Sequence, residues 1–80
     1  MEWPGIQEAK DILTELWATG TPSQVSEAID DLFAAAPDCA PICELCDFIK
    51  QHGTAAQLEQ ACDIAERLEC VCGACEDTTP

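Results

Sequence analysis

Seven cysteines in 80 residues, six of them in two tight groups, limit what this chain can fold into more than any other feature. Cys39, Cys43 and Cys46 form one group, Cys70, Cys72 and Cys75 the other, and Cys62 stands between them. Each group contains a C-x-x-C pair, Cys43 to Cys46 and Cys72 to Cys75. Two such pairs at the ends of a short segment are the usual form of a tetrathiolate metal site. A domain this small buries a modest core and gains from a crosslink. With only two Phe, two Trp and no Tyr, this chain is short of aromatic packing and has more need of one.

Apolar residues recur with a helical period throughout. Ile6, Ala9, Leu13, Leu16 and Trp17 make one stripe, and the spacing predicts a helix over 4–19, with Pro4 in its first turn and Gly20 as its stop. Thr21 and Gln24 read as a capping box with Pro22 at the first helical position, opening a second helix over 22–36 that Pro37 ends. Asp38 is the expected N-cap of a third helix, and His52-Gly53 its end. Thr54 and Gln57 read as a second capping box before a fourth helix over 55–70. The segment from Cys72 onward is expected to be irregular, and no internal repeat is evident. The short links favour antiparallel neighbours. The expected fold is therefore all-α, a compact bundle of about four short antiparallel helices in one domain over 1–76, with a frayed tail over 77–80.

Spacings of four and three put Cys39, Cys43 and Cys46 on one side of the third helix, at its amino end, where the helix dipole favours thiolate. An antiparallel fourth helix returns Cys70, Cys72 and Cys75 to the same place. Zinc takes four tetrahedral ligands and suits thiolates. The expected ligands are Cys43, Cys46, Cys72 and Cys75, with Cys39 and Cys70 as first substitutes and His52 a distant one. Four occupied positions leave none for substrate, so such a site is structural and its binding energy is folding energy. An iron–sulfur cluster or a set of disulfides is the alternative use of the same residues. Cys62 lies on the apolar stripe of the fourth helix and reads as a small buried hydrophobe. The stretch from Cys43 to Ile49 resembles the opening of a saposin domain. The later cysteines fall too close together for that family's disulfide pattern, so nothing further is built on the resemblance.

Sixteen acidic residues oppose Lys10, Lys50 and Arg67, giving a net charge of −13. Such a surface repels phosphates, so neither direct nucleic-acid binding nor an anionic membrane is expected, and a basic protein surface is the favoured partner. Acids on the first two helices, Glu8, Asp11, Glu15, Glu27, Asp30 and Asp31, are the candidate contacts because those helices carry no metal ligands. No apolar run approaches the length of a membrane span. The opening residues lack the features of a signal peptide, and a reducing cytoplasm is the expected location. With the one histidine remote from the cysteines and no phosphate loop, catalysis is not expected.

The expected function is a non-catalytic protein-binding module for a basic protein surface. Small acidic inhibitors that mimic nucleic-acid charge, such as phage anti-defence and anti-CRISPR proteins, are a resemblance of type. A metal-handling or redox carrier is the first alternative, and a disulfide-stapled helical interaction domain the second.

Overall fold

The same five-residue pattern, Gly-Thr-x-x-Gln, occurs at Gly20–Gln24 and again at Gly53–Gln57, and each copy folds a helical corner. In both, the glycine amide donates to the carbonyl of the preceding helix, Gly20 to Leu16 at 2.8 Å and Gly53 to Ile49 at 2.7 Å. The threonine side chain then accepts from the glutamine amide, and the glutamine side chain accepts from the threonine amide, closing both expected capping boxes.

In the computed structural model, which describes residues 2–76, these corners separate α1 (Ile6–Thr19) from α2 (Pro22–Ala35) and α3 (Cys39–His52) from α4 (Ala55–Arg67). A single turn, α5 (Gly73–Glu76), follows. Among the described residues there is no strand, so the all-α expectation stands, with five helices in place of about four. The expected frayed tail lies outside the described residues.

Three boundaries differ from the sequence reading by more than one residue. The first helix begins at Ile6, because Gly5 takes φ 101° and turns the chain before it. The fourth ends at Arg67 and not at residue 70. Glu69 there adopts φ 61°, the Cys70 amide bonds the Ala65 carbonyl at 2.8 Å, and the Glu69 amide bonds that of Glu66 at 3.0 Å. This is a Schellman stop with a glutamate where glycine is usual. Third, the segment after Cys72 coils into α5 instead of staying irregular. Its Cys75 and Glu76 amides bond the Cys72 carbonyl at 3.0 and 3.2 Å.

The two hairpins start their helices and corners at one constant sequence offset: Ile6 corresponds to Cys39, Gly20 to Gly53, Thr21 to Thr54 and Gln24 to Gln57. No repeat was expected from the sequence, because the buried positions of the two copies are filled differently. α1 packs on α3, α2 packs on α4, and each hairpin packs on itself. The shortest Cα extent, 17 Å, has room for two helix layers, which are α1 with α3 and α2 with α4. Lys10 reaches Glu44 at 2.8 Å, Trp17 meets Phe48, and Gln60 bonds Ser26, so each stacked pair runs in one direction. The antiparallel relation therefore applies within hairpins, and the hairpins stack as do units of a helical repeat protein.

Leu13, Ile29, Leu32, Phe33, Leu45 and Ile49 are fully enclosed between the layers. Trp3 and Trp17 pack against this core half-buried.

Candidate functional site

α3 begins at Cys39, with the Asp38 carboxylate accepting from the Ala40 amide at 2.9 Å as the sequence predicts. Its first two turns carry Cys39, Cys43 and Cys46. The Schellman stop of α4 turns the chain back so that Cys70 and Cys72 arrive beside those turns, and α5 carries Cys75 against them. The expected meeting of the two cysteine groups is thus present: Cα atoms of Cys39 and Cys70 are 5.4 Å apart, and those of Cys43 and Cys72 are 5.0 Å apart.

The sulfurs are joined differently from the expected tetrathiolate. Cys39 pairs with Cys70, Cys43 with Cys72, and Cys62 with Cys75, each in a disulfide. Of the four expected ligands, Cys43, Cys72 and Cys75 are therefore oxidised in this structure and Cys46 is the free thiol. The substitutes Cys39 and Cys70 are bonded to each other. Cys62 corrects its reading as a small hydrophobe: it is half-buried on α4 and reaches Cys75 because α5 folds back over that helix. C-x-x-C spacing shows which cysteines are local neighbours. The partners across the site depend on the rotation of α3 against α4 and on the one turn of α5.

Cys46 sits fully enclosed, and the sulfurs of Cys46, Cys72 and Cys75 lie within 4.8 Å of one another. A tetrahedral zinc with bonds of about 2.3 Å sets its thiolates roughly 3.8 Å apart, a separation that lies inside the 4.8 Å within which this trio is gathered. Cys43 is one bond from Cys72. Burial pushes the Cys46 thiol up to about 11, and the Asp47 carboxylate adds to the shift. The neutral thiol is a poor nucleophile, so the nearby disulfides are protected from exchange with it. His52 lies at the opposite end of α3, exposed, its ring 4.7 Å from that of Phe48. It has no part in the cysteine site.

The six acidic candidates, Glu8, Asp11 and Glu15 on α1 and Glu27, Asp30 and Asp31 on α2, are all exposed. Asp11 accepts from Gln7 at 3.1 Å and Asp30 from Gln60 at 3.0 Å. Among the described residues none of the six is ion-paired, whereas Glu44 and Asp63 are held by Lys10 and Arg67. Motif and spacing do not disclose an open groove of about 1110 Å³ along α4, closed on its other side by the segment from Cys70 to Glu76. Its signal in the sequence was Val71, an apolar residue between two cysteines with no helical face to join.

Comparison with protein-family models, with curated proteins and with solved structures finds no match.

Proposed function

We propose that this chain is a non-catalytic binding module that presents acidic helix faces to a basic protein surface, with the cysteine cluster as its staple. The observation that carries the reading is the separation of the two features. The crosslinks tie α3, α4 and α5, while the six exposed carboxylates lie on α1 and α2, which hold no cysteine. Exposed acidic charge favours fast, salt-dependent association with a cationic partner. Charge mimicry of nucleic acid, as in anti-defence inhibitors, is one use of such a face. The test is cross-linking mass spectrometry on cell extract with the wild-type chain and with a variant carrying Glu8→Gln, Asp11→Gln and Glu15→Gln. A basic partner lost both in the variant and in high salt supports the reading. A partner retained in both sinks it.

A second reading concerns the staple itself and rests on the 4.8 Å sulfur trio. In a reducing cytoplasm, opening the Cys43–Cys72 and Cys62–Cys75 disulfides frees Cys43, Cys72 and Cys75 to join the already free Cys46 as one thiolate set for Zn2+, a structural site with no position left for chemistry. An iron–sulfur cluster on the same thiols is the carrier alternative. Native mass spectrometry of protein purified without oxidant separates these. One zinc per chain supports the structural site, visible absorbance with iron supports the carrier, and a mass lower by three hydrogen pairs leaves the disulfide-stapled module.

A further inference from the structure

We infer that the groove along α4 is the docking site for a basic amphipathic helix of a partner protein, seated where the stacking order leaves a place open. The inference rests on the basic-partner reading above and supplies the anchor that charge alone does not.

At the constant sequence offset that relates the helices of the two hairpins, Gly73–Glu76 corresponds to Ala40–Cys43, the opening turn of α3. α5 also packs on α3, as α3 packs on α1. It is therefore placed as the first turn of a third unit. In that order the next helix would lie beside α4 as α4 lies beside α2. The groove occupies this position: it runs along α4 from Ala55 to Glu66 and ends against α5, the two elements a helix placed there would touch.

The chemistry of the walls selects the occupant. The floor is apolar, made by Leu58 and the Cys62–Cys75 disulfide. Val71 stands on the wall 80 % exposed, and it and Leu68 beside it are the large apolar side chains left in solvent among the described residues. The rim is acidic, with Glu59, Asp63, Glu66 and Glu76, and no lysine or arginine lines it. Arg67 pairs with Asp63 at 2.7 Å, which leaves the other three carboxylates to the groove. An apolar floor between acidic walls fits a helix with one apolar stripe flanked by lysine or arginine. It repels an acidic helix, including a second copy of α1 or α2 from this very acidic chain.

The probe is a peptide of about 15 residues, long enough to form a helix on binding, with leucine at helical spacing and lysine elsewhere. Its controls are a scrambled peptide of the same composition and one with glutamine in place of lysine. Titrations followed by NMR should place the shifts on α4 and α5. Val71→Asp, at a position exposed enough to leave folding intact, should weaken binding by at least about tenfold, as loss of an apolar anchor does. The variant Glu8→Gln, Asp11→Gln, Glu15→Gln should bind the peptide within about twofold of wild type. Equal binding of the scrambled peptide, with loss in the α1 variant and none in Val71→Asp, overturns the groove and keeps the acidic-face reading. Absence of any salt-sensitive binding overturns both. Self-association that Val71→Asp abolishes also overturns the inference, by making the occupant a second copy.

Discussion

The indole N–H of Trp17 donates to Oε1 of Gln57 at 2.9 Å, and the same oxygen accepts from the Thr54 amide at 3.0 Å. One acceptor thus ties the last turn of α1 to the cap of α4 and joins the two hairpins at the end remote from the disulfides. Gln57→Ala removes a capping arm and leaves a half-buried indole donor without its partner, an expected loss of about 2 kcal/mol. The matching change in the first hairpin, Gln24→Ala, removes a capping arm alone and is expected to cost about 1 kcal/mol or less. Urea unfolding with disulfides intact measures both. Equal losses would show that the Trp17 bond contributes nothing.

Gly53 is the second pinned point. A methyl group there would stand 2.7 Å from Gln57 Oε1, 3.0 Å from the Ile49 carbonyl and 3.0 Å from the Trp17 ring. Gly53→Ala should destabilise by about 1–3 kcal/mol, and a shift of Trp17 fluorescence should accompany it. Gly20→Ala meets a similar carbonyl but a movable Leu16 methyl in place of the ring, so its cost should be smaller.

Glu69 holds φ 61° at the Schellman stop, a conformation that costs a side-chain-bearing residue roughly 1 kcal/mol. Glu69→Gly should therefore raise stability by about 0.5–1 kcal/mol and raise the melting temperature under oxidising conditions. A fall in melting temperature would mean that Glu69 makes an interaction worth more than its backbone strain.

The Cys39–Cys70 bond closes a segment with a sequence separation of 31. Because Cys43–Cys72 still holds the same two segments, replacing both with alanine opens only the short ring through residues 39–43 and 70–72, and should cost about 2–3 kcal/mol on the chain-entropy estimate. The measurement is the urea midpoint against wild type, without reductant. In the metal-loaded form the same double variant should change stability far less, since neither residue is among the four expected ligands.

Cys46 is fully enclosed and its thiol is pushed up to about 11. Native protein without reductant should resist iodoacetamide at neutral pH, and one cysteine, Cys46, should be alkylated on unfolding in urea. Peptide mapping identifies the site. Rapid labelling of Cys46 in the native state would contradict the enclosed position.

Much of this fold can be read locally. Both capping boxes, the Asp38 cap, the core face of each helix and the convergence of two cysteine groups follow from residue spacing, because a helix is stabilised by bonds within a few residues and its apolar period reports the buried face. The repeat was hidden for a physical reason. Leu13 of the first copy is matched by Cys46 of the second, and Phe33 by Glu66, so the hairpins share backbone corners but not core side chains. The corner residues, with Ala28 matched by Ala61 and Asp30 by Asp63, carry what signal there is.

The fate of each sulfur was not local. The sequence places Cys39, Cys43 and Cys46 on one face of α3 and returns three more cysteines to them, and from spacing alone Cys46 ranks with Cys43 as a ligand. Which of them faces a partner depends on how far α3 is rotated against α4, and that is set by the enclosed packing of Leu45, Ile49 and Ala61. It leaves Cys46 inside the core, whereas Cys43 meets Cys72. Cys62 reaches Cys75 by way of α5, a single turn too short to have a helical period of its own. Composition and period therefore decided that this would be an acidic, helical, sulfur-stapled chain. Tertiary packing alone decided the pairing and the open groove beside α4, since both depend on distances between elements that no local pattern encodes.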